Sequence, residues 1–445
     1  MRRRLPLLLL TALLAVAATG CLGGGTSGGA QSLSSTQSHT PVTITFWSAY
    51  TGREKHIYDN AIKMFEKQYP WITVNHVGNI DDAHILAAIT GGNPADAVLS
   101  FGPDNIGKFC STGAYLSLNN YISQDNLDLG QFPKVALGYT SYHGTQCALP
   151  ALTDAYGMYS NKSILGANGI TSPPKNLNDL LTDAEKTTVK NSDGTIKQAG
   201  FIPLDGYHEF TINDLAFLEG GHWFDSSGKA DLADQAAWTN ALIWQRKLID
   251  FYGYSNLQKW DATYENAEFT AQNPFEKGKV AFEYDGEWRV AFIKADKSTV
   301  TYVTSAAPTS DPGNYGMGHI GGDIVAIPRG SKHPQQAWDL IKFLSTNTQA
   351  GVYLSNNLDN LPVTTAELHS PDILPVKNFL NFFPIFEDPK SQFIPTITQV
   401  GNEYTNLIGT FDSKWESGSI PTSGLHDALV QLDNQIDQQI AQAGG

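Results

Sequence analysis

Carboxylates and flat aromatic rings recur together along this chain. Trp47, Tyr50 and Glu54 lie close in sequence, as do Phe101 and Asp104, and Asp285, Glu287 and Trp288. Rings with acceptors beside them suit a solute that has apolar faces and groups to hydrogen-bond. Acid pairs can also do chemistry. Asp154 and Glu287 would cleave a glycosidic bond if their carboxyls stood about 5 to 9.5 Å apart, a distance the sequence leaves open. The run Gly25-Thr26-Ser27-Gly28-Gly29 matches a nucleophile elbow, which works only on a strand–turn–helix. It sits in a Gly/Ser-rich stretch and is read as chance. No HExxH, P-loop or EF-hand pattern occurs, and no Cys-x-x-Cys or His-rich cluster, so no metal and no cofactor is expected.

The elements that must hold these residues follow from hydrophobic spacing. Val42–Trp47 alternates and is β-branched, which predicts a strand. Ile57, Ala61 and Phe65 recur at helical spacing over 54–69, and Pro70 ends that helix. Trp71–Val77 reads as a second strand, Asp82–Ile89 as a short helix, and Ala97–Phe101 as a third strand buried on both faces. Strand, helix, strand, helix, strand is the order of a parallel α/β sheet. Strands are expected again at 155–159, 279–284 and 322–328. Helices are expected at 177–189, at 334–344 and from about Ser423 to the end.

Composition narrows the class. The 445 residues are 41% hydrophobic and 16% charged, which is a folded globular chain long enough for two or three domains or one large two-lobed protein. The 29 Lys+Arg against 44 Asp+Glu argue against nucleic acid as a partner. Three cysteines exclude a disulfide scaffold.

Arg2, Arg3 and Arg4 precede an apolar run, Leu5–Ala18, that is short for a membrane span of roughly 20 residues. This reads as an export signal, with an N-terminal anchor helix as the alternative. Ala18-Thr19-Gly20-Cys21 resembles a bacterial lipoprotein signal, although Leu is commoner than Ala18 at its first position. That resemblance implies cleavage after residue 20 and acylation of Cys21. Residues 21–40, rich in Gly, Ser, Thr and Gln, read as a tether. Cys110 and Cys147 would then meet an oxidising compartment, which favours pairing them. A bridge would contribute about 4 kcal/mol on the chain-entropy model. Two separate buried thiols are the alternative.

The segments ITFWSAYTG, MFEKQYPWITV, AAITGGNPADAVLSF, GAYLSLNNYI, ALPALTDAYGMYSNKSILGANGITSPPKNLNDLL, FEKGKVAFEYDGEW, GGDIVAIPRGSKHPQQAWDLIKFLS and NLPVT follow one another in this order. In order and spacing the chain resembles the extracellular solute-binding proteins of ABC importers, the family that includes the maltose-binding protein. The resemblance covers nearly all of 41–445. It implies a periplasmic-binding-protein-like α/β fold: two discontinuous α/β lobes, a hinge and an interlobe ligand cleft. Lobe one would be 41–150 plus 289–347, and lobe two 151–288 plus 348–445. It implies no catalysis. A monomer held by its lipid on the extracytoplasmic face of the cell membrane would capture a sugar or oligosaccharide and dock on ABC permease subunits. The alternatives are a polyamine or other polar solute, a secreted glycoside hydrolase, and a scaffold lipoprotein.

The resemblance also assigns ligand contacts. Trp47, Tyr50, Thr51 and Glu54 would line the cleft after the first strand, although Glu54 could equally favour the helix dipole. Phe101 and Asp104 would do so after the third, with helix capping as the other role for Asp104. Asp154 would reach the ligand at the first crossover. Tyr207 and His208 would contact it from a loop, unless His208 is simply solvated. Trp288 would stack on a sugar face, with Asp285 and Glu287 as weaker candidates. Gly321 and Gly322 would let the backbone approach, with Asp323 accepting from a hydroxyl; a plain tight turn is the other reading. Asp96 and Trp223 are read as structural.

Overall fold

The computed structural model describes residues 39–443. The leader, Cys21 and the tether as far as Ser38 lie outside the described residues. In chain order the elements that position the site are β1 (Val42–Ser48), α1 (Gly52–Gln68), β2 (Ile72–Val77), α2 (Asp82–Thr90), β3 (Ala97–Ser100) and α3 (Ile106–Ser111). Then come β4 (Ala148–Asn161), α4 (Leu177–Thr187), α5 (Ile212–Leu218), α6 (Ala236–Tyr252), β5 (Phe282–Gly286), α7 (Arg289–Ala295) and β6 (Tyr302–Ser305). The chain ends with β7 (Ile320–Ala326), α8 (Pro334–Thr346), α9 (Thr348–Leu358), α10 (Thr405–Glu416) and α11 (Leu425–Ala443). Among the described residues, no helix is long and apolar enough to cross a membrane.

β1 lies between β2 and β3 and is parallel to both, with Val42 opposite Ile72 and Phe46 opposite Ala97. α1 buries Tyr58, Ala61, Ile62 and Phe65, whereas Ile57, the first residue of the stripe read from spacing, is only half-buried. Every position of β3 is buried, as a strand covered on both faces requires. The parallel order stops there. β7 runs antiparallel between β3 and β4, with Gly321 opposite Asp154.

β4 is the element that joins the lobes. Its first half, Ala148–Ala155, pairs with β7, and its second half pairs with β5 and β6. The chain returns past the same point twice. His319 O accepts the Tyr156 N–H at 3.1 Å, and Leu361 exchanges backbone hydrogen bonds with Thr153 at 2.8 and 2.9 Å. β6 therefore belongs with the lobe-two half of β4, and α9 packs on α1, where Asn60 Nδ2 donates to Tyr353 Oη at 3.1 Å. In lobe two, α10 locks onto α6 through Trp415 Nε1, which donates to Leu242 O at 3.1 Å.

Cys110 on α3 and Cys147 just before β4 are disulfide-bonded, with their Cα atoms 5.9 Å apart. The pairing, rather than separate thiols, ties α3 to the strand that crosses between the lobes. Asp96 is structural, as read: it accepts from Thr45 N at 2.9 Å and from Lys332 N and His333 N at 3.0 Å, at the start of α8.

Candidate ligand-binding site

Side chains alternate along a strand, so Asp154 and Tyr156 share one face of β4. Gly321 lies opposite Asp154, and a Cβ there would meet only Tyr156 Cε2, at 3.9 Å. The face is therefore open above Gly321. His319 stacks on Tyr156 at 4.4 Å and 9°, and its Nδ1 lies 2.9 Å from Asp214 Oδ1. Trp288, between β5 and α7, stands edge-on to Tyr156 at 5.2 Å and 89°. Its Nε1 is buried and has no hydrogen-bond partner among the described residues.

Two carboxyls meet beneath these rings. Glu287 Oε2 accepts from Ala155 N at 2.8 Å and Oε1 from Leu361 N at 3.3 Å. Asp154 Oδ1 accepts from Asn360 Nδ2 at 2.6 Å. Burial, and then the charge of Asp154, push the Glu287 carboxyl well above its usual range, and burial raises Asp154 too. The two carboxyls are in hydrogen-bond contact, so burial and their mutual repulsion favour a proton held between them.

Lobe one faces this floor with Tyr50 and Phe101. Tyr50 and Tyr58 both donate to Asp323 Oδ2, at 2.7 and 3.0 Å, and burial raises the Asp323 carboxyl well above its ordinary value. Phe101 is 51% exposed and meets Tyr50 edge-on at 4.6 Å. Trp47 is half-buried, paired in register with Val77 and Val98. Thr51 is exposed at the N-cap of α1, and its side chain makes no cap bond. Glu54, in the first turn, lies 3.5 Å from Arg53, and burial raises its carboxyl. Asp104 accepts from Asn105 N at 3.1 Å and is held by Asn402 on the other lobe; burial and Asp82 push it up to about 6.

Four candidates turn out to be committed elsewhere. Tyr207 is buried, and its hydroxyl accepts from Trp260 Nε1 at 3.0 Å. The His208 side chain is 1% exposed, with Nδ1 2.6 Å from Glu283 Oε1 and Nε2 3.3 Å from Tyr264 O, so neither nitrogen is left for a ligand. It is not solvated either. Gly322 has φ +138°, and a Cβ there would meet Leu152 O at 2.3 Å, so strand packing explains this glycine. Asp285 likewise serves Arg289 Nε at 2.5 Å.

Tyr156, His319 and Asn360 were missed. Tyr156 is two residues beyond Asp154 on a strand, so period-two spacing alone points to it. His319 and Asn360 reach the site from the returning passes of the chain, which carry no local signal. In the loop that carries His208, it is Glu209 that bears on Tyr156: burial first, and then the Glu209 charge, raise the Tyr156 hydroxyl.

Two arrangements bear on catalysis. Asp154 and Glu287 are in hydrogen-bond contact, which leaves no gap for a glycosidic bond between them. Ser48 Oγ lies 2.8 Å from His76 Nε2, and His76 Nδ1 lies 2.7 Å from Asp59 Oδ1. This has the order of a hydrolytic triad, but Ser48 is 0% exposed. The chain of bonds ties β1 and β2 to α1.

Residues 60–374 match the family model of the bacterial extracellular solute-binding proteins. The maltotriose-binding protein of Pyrococcus abyssi is 23% identical over 334 residues, 74% of this chain and 68% of that protein. A maltooligosaccharide ABC transporter solute-binding lipoprotein of Streptococcus pneumoniae is 26% identical over 231 residues, 51% of each chain. The protein CpMnBP1, solved with mannotriose bound, superimposes with a TM-score of 0.77 at 24% identity, covering 89% of this chain and 100% of that one. The chain, with its two α/β lobes joined by β4, belongs to the bacterial extracellular solute-binding protein family.

Proposed function

We propose that this protein captures an uncharged sugar or short oligosaccharide between its lobes and presents it to the permease of an ABC importer. The observation that carries the reading is the face made by Asp154, Tyr156 and Trp288. It offers two rings at right angles, a carboxylate acceptor and a buried indole N–H without a partner. A pyranose presents C–H faces to the rings, and its hydroxyls both donate and accept. The sugars named for the related proteins support the same class. Tyr50, Phe101 and Gly321 would border the ligand, and the lobes would hinge where the chain crosses three times, at Thr153–Tyr156, His319–Gly322 and Leu361. Acylated Cys21 would hold a monomer at the extracytoplasmic face of the membrane.

A polyamine fits less well. It only donates, so it leaves the Trp288 N–H unpaired. The test is thermal unfolding of the protein with mono- and oligosaccharides, polyols and spermidine. A ligand at 100 times its dissociation constant stabilises by about 2.7 kcal/mol. A shift with a sugar, lost in Trp288→Ala, supports the proposal. A shift with spermidine alone replaces the sugar by a cation. No shift with any sugar removes the reading.

A further inference from the structure

The aromatic corner at Tyr156 and Trp288 continues outward. Trp288 O accepts the Phe292 N–H at 3.3 Å, so the two rings sit one helical turn apart on one face. Phe292 meets Phe269 with ring centroids 5.4 Å apart. Phe269 is 51% exposed, large and apolar, in the turn that precedes β5. The Arg289 guanidinium lies 5.5 Å from both phenylalanine rings.

Polar atoms without partners follow the same row. Arg289 is 0% exposed; its Nε donates to Asp285 Oδ2 at 2.5 Å and its Nη1 to Glu268 O at 2.6 Å. Its Nη2 has no hydrogen-bond partner in the protein, and neither has Glu268 Oε1, which lies 4.0 Å from it, beyond hydrogen-bond reach. With Trp288 Nε1, that makes two donors and one acceptor beside the rings, all buried; Glu276 Oε1 and Oε2 and Glu283 Oε2, on the other carboxyls around Arg289, are unpaired too. Buried polar atoms are rarely left unpaired, so such a set calls for an explanation.

We infer that Phe269, Phe292, Arg289 and Glu268 form a remote subsite, which receives the far end of a linear oligosaccharide whose first unit rests on Trp288. Hydroxyls suit the set because each both donates and accepts. A polyamine would leave the two donors unpaired. An apolar chain would leave all three atoms unpaired. The rings Tyr156 and Trp288, and then Phe292 and Phe269, offer apolar surface to more than one sugar ring. The inference rests on the sugar-binding reading above and adds chain length and four residues to it.

Isothermal titration of the protein with malto-, manno- and xylo-oligosaccharides of one to four units tests it. In the series that binds, affinity should rise at least tenfold from the shortest ligand bound to the longest. Phe269→Ala should weaken the longest ligand about tenfold and leave the shortest unchanged, and Phe269→Trp should retain the length dependence. Because Phe269 is largely exposed, its loss should leave the fold intact. A flat length series, or a Phe269→Ala effect equal at every length, overturns the remote subsite and spares the sugar reading. Absence of binding by every series overturns both.

Discussion

The Trp288 ring meets the Tyr156 ring edge to face at 5.2 Å and 89°, which makes a corner with one aromatic surface on each wall. Tyr156 is held from behind by His319, stacked at 4.4 Å, so the corner is rigid before a ligand arrives. Aromatic contacts of this kind contribute about 0.5 to 1.5 kcal/mol beyond area burial. Trp288→Ala should therefore weaken sugar binding by about tenfold or more, read by titration calorimetry. Trp288→Phe should keep part of the loss from appearing. Because Trp288 is only half-buried, unfolding in urea should show a loss of about 1 to 2 kcal/mol, well short of collapse.

Contact between the lobes gives a second expectation. A Cβ on Gly107 would meet Thr398 O at 1.9 Å, and Lys108 Nζ lies 2.5 Å from Glu403 Oε1 beside the Asp104–Asn402 contact. α3 of lobe one thus rests directly on the backbone of residues 398–403. Gly107→Val should hold the lobes apart. Ligand affinity should fall at least tenfold, while urea unfolding without ligand changes by less than about 1 kcal/mol, because open lobes accommodate the side chain. If the variant instead unfolds easily and binds normally, Gly107 is a core position and not part of closure.

Much of this was legible in the sequence, and the failures share a cause. β1, α1, β2, α2 and β3 were readable because each carries its own period, with Ile44, Phe46, Tyr58, Ala61 and Phe65 buried as spaced. Trp288 and Asp154 were singled out because their segments resemble those of a known family, and the structure places both beside Tyr156. His208 was misplaced because nothing local announces Glu283, which lies 75 residues away and takes its Nδ1. Asn360 and His319 were invisible for the same reason: they come to Asp154 and Tyr156 only through the crossing strands. The pairing of β6 with β4 carries no local signal either, because it joins segments well over a hundred residues apart.

Arg289 shows what a buried charge network does to stability. Its Nε lies 2.5 Å from Asp285 Oδ2, Nη1 3.8 Å from Glu276 Oε1 and Nη2 4.0 Å from Glu268 Oε1. Burial pushes Asp285 and Glu276 each up to about 7, and the arginine opposes that rise in both. Arg289→Met should cost about 3 to 5 kcal/mol in urea unfolding, because Asp285 is left buried without a cation. Arg289→Met combined with Asp285→Leu should recover a good part of that loss. A double variant no more stable than the single one would mean that arginine packing, not charge pairing, dominates here.

The carboxyls of lobe two set a direction for pH. Gln245 Nε2 donates to Asp412 Oδ2 at 2.8 Å and to Glu416 Oε1 at 3.3 Å, and Asp205 N donates to the same Glu416 oxygen at 2.7 Å. Burial pushes Asp205 up to about 6 and Glu416 to about 7, and it raises Asp412 well above its ordinary value. The folded state holds these protons more tightly than the unfolded chain, where carboxyls titrate near 4. Stability from this cluster is therefore full below about pH 4 and is lost as pH rises through 6 to 7. Asp104 and Asp359, each up to about 6, and Glu367, up to about 7, act in the same sense. Urea unfolding should give a larger free energy at pH 5 than at pH 8. Glu416→Gln, which cannot ionise, should shrink that difference by about 2 kcal/mol. An unchanged pH slope in this variant would show that Glu416 is already ionised in the fold, and that Arg246, whose Nη1 donates to Glu416 O at 3.1 Å, stabilises the charge across the helix end.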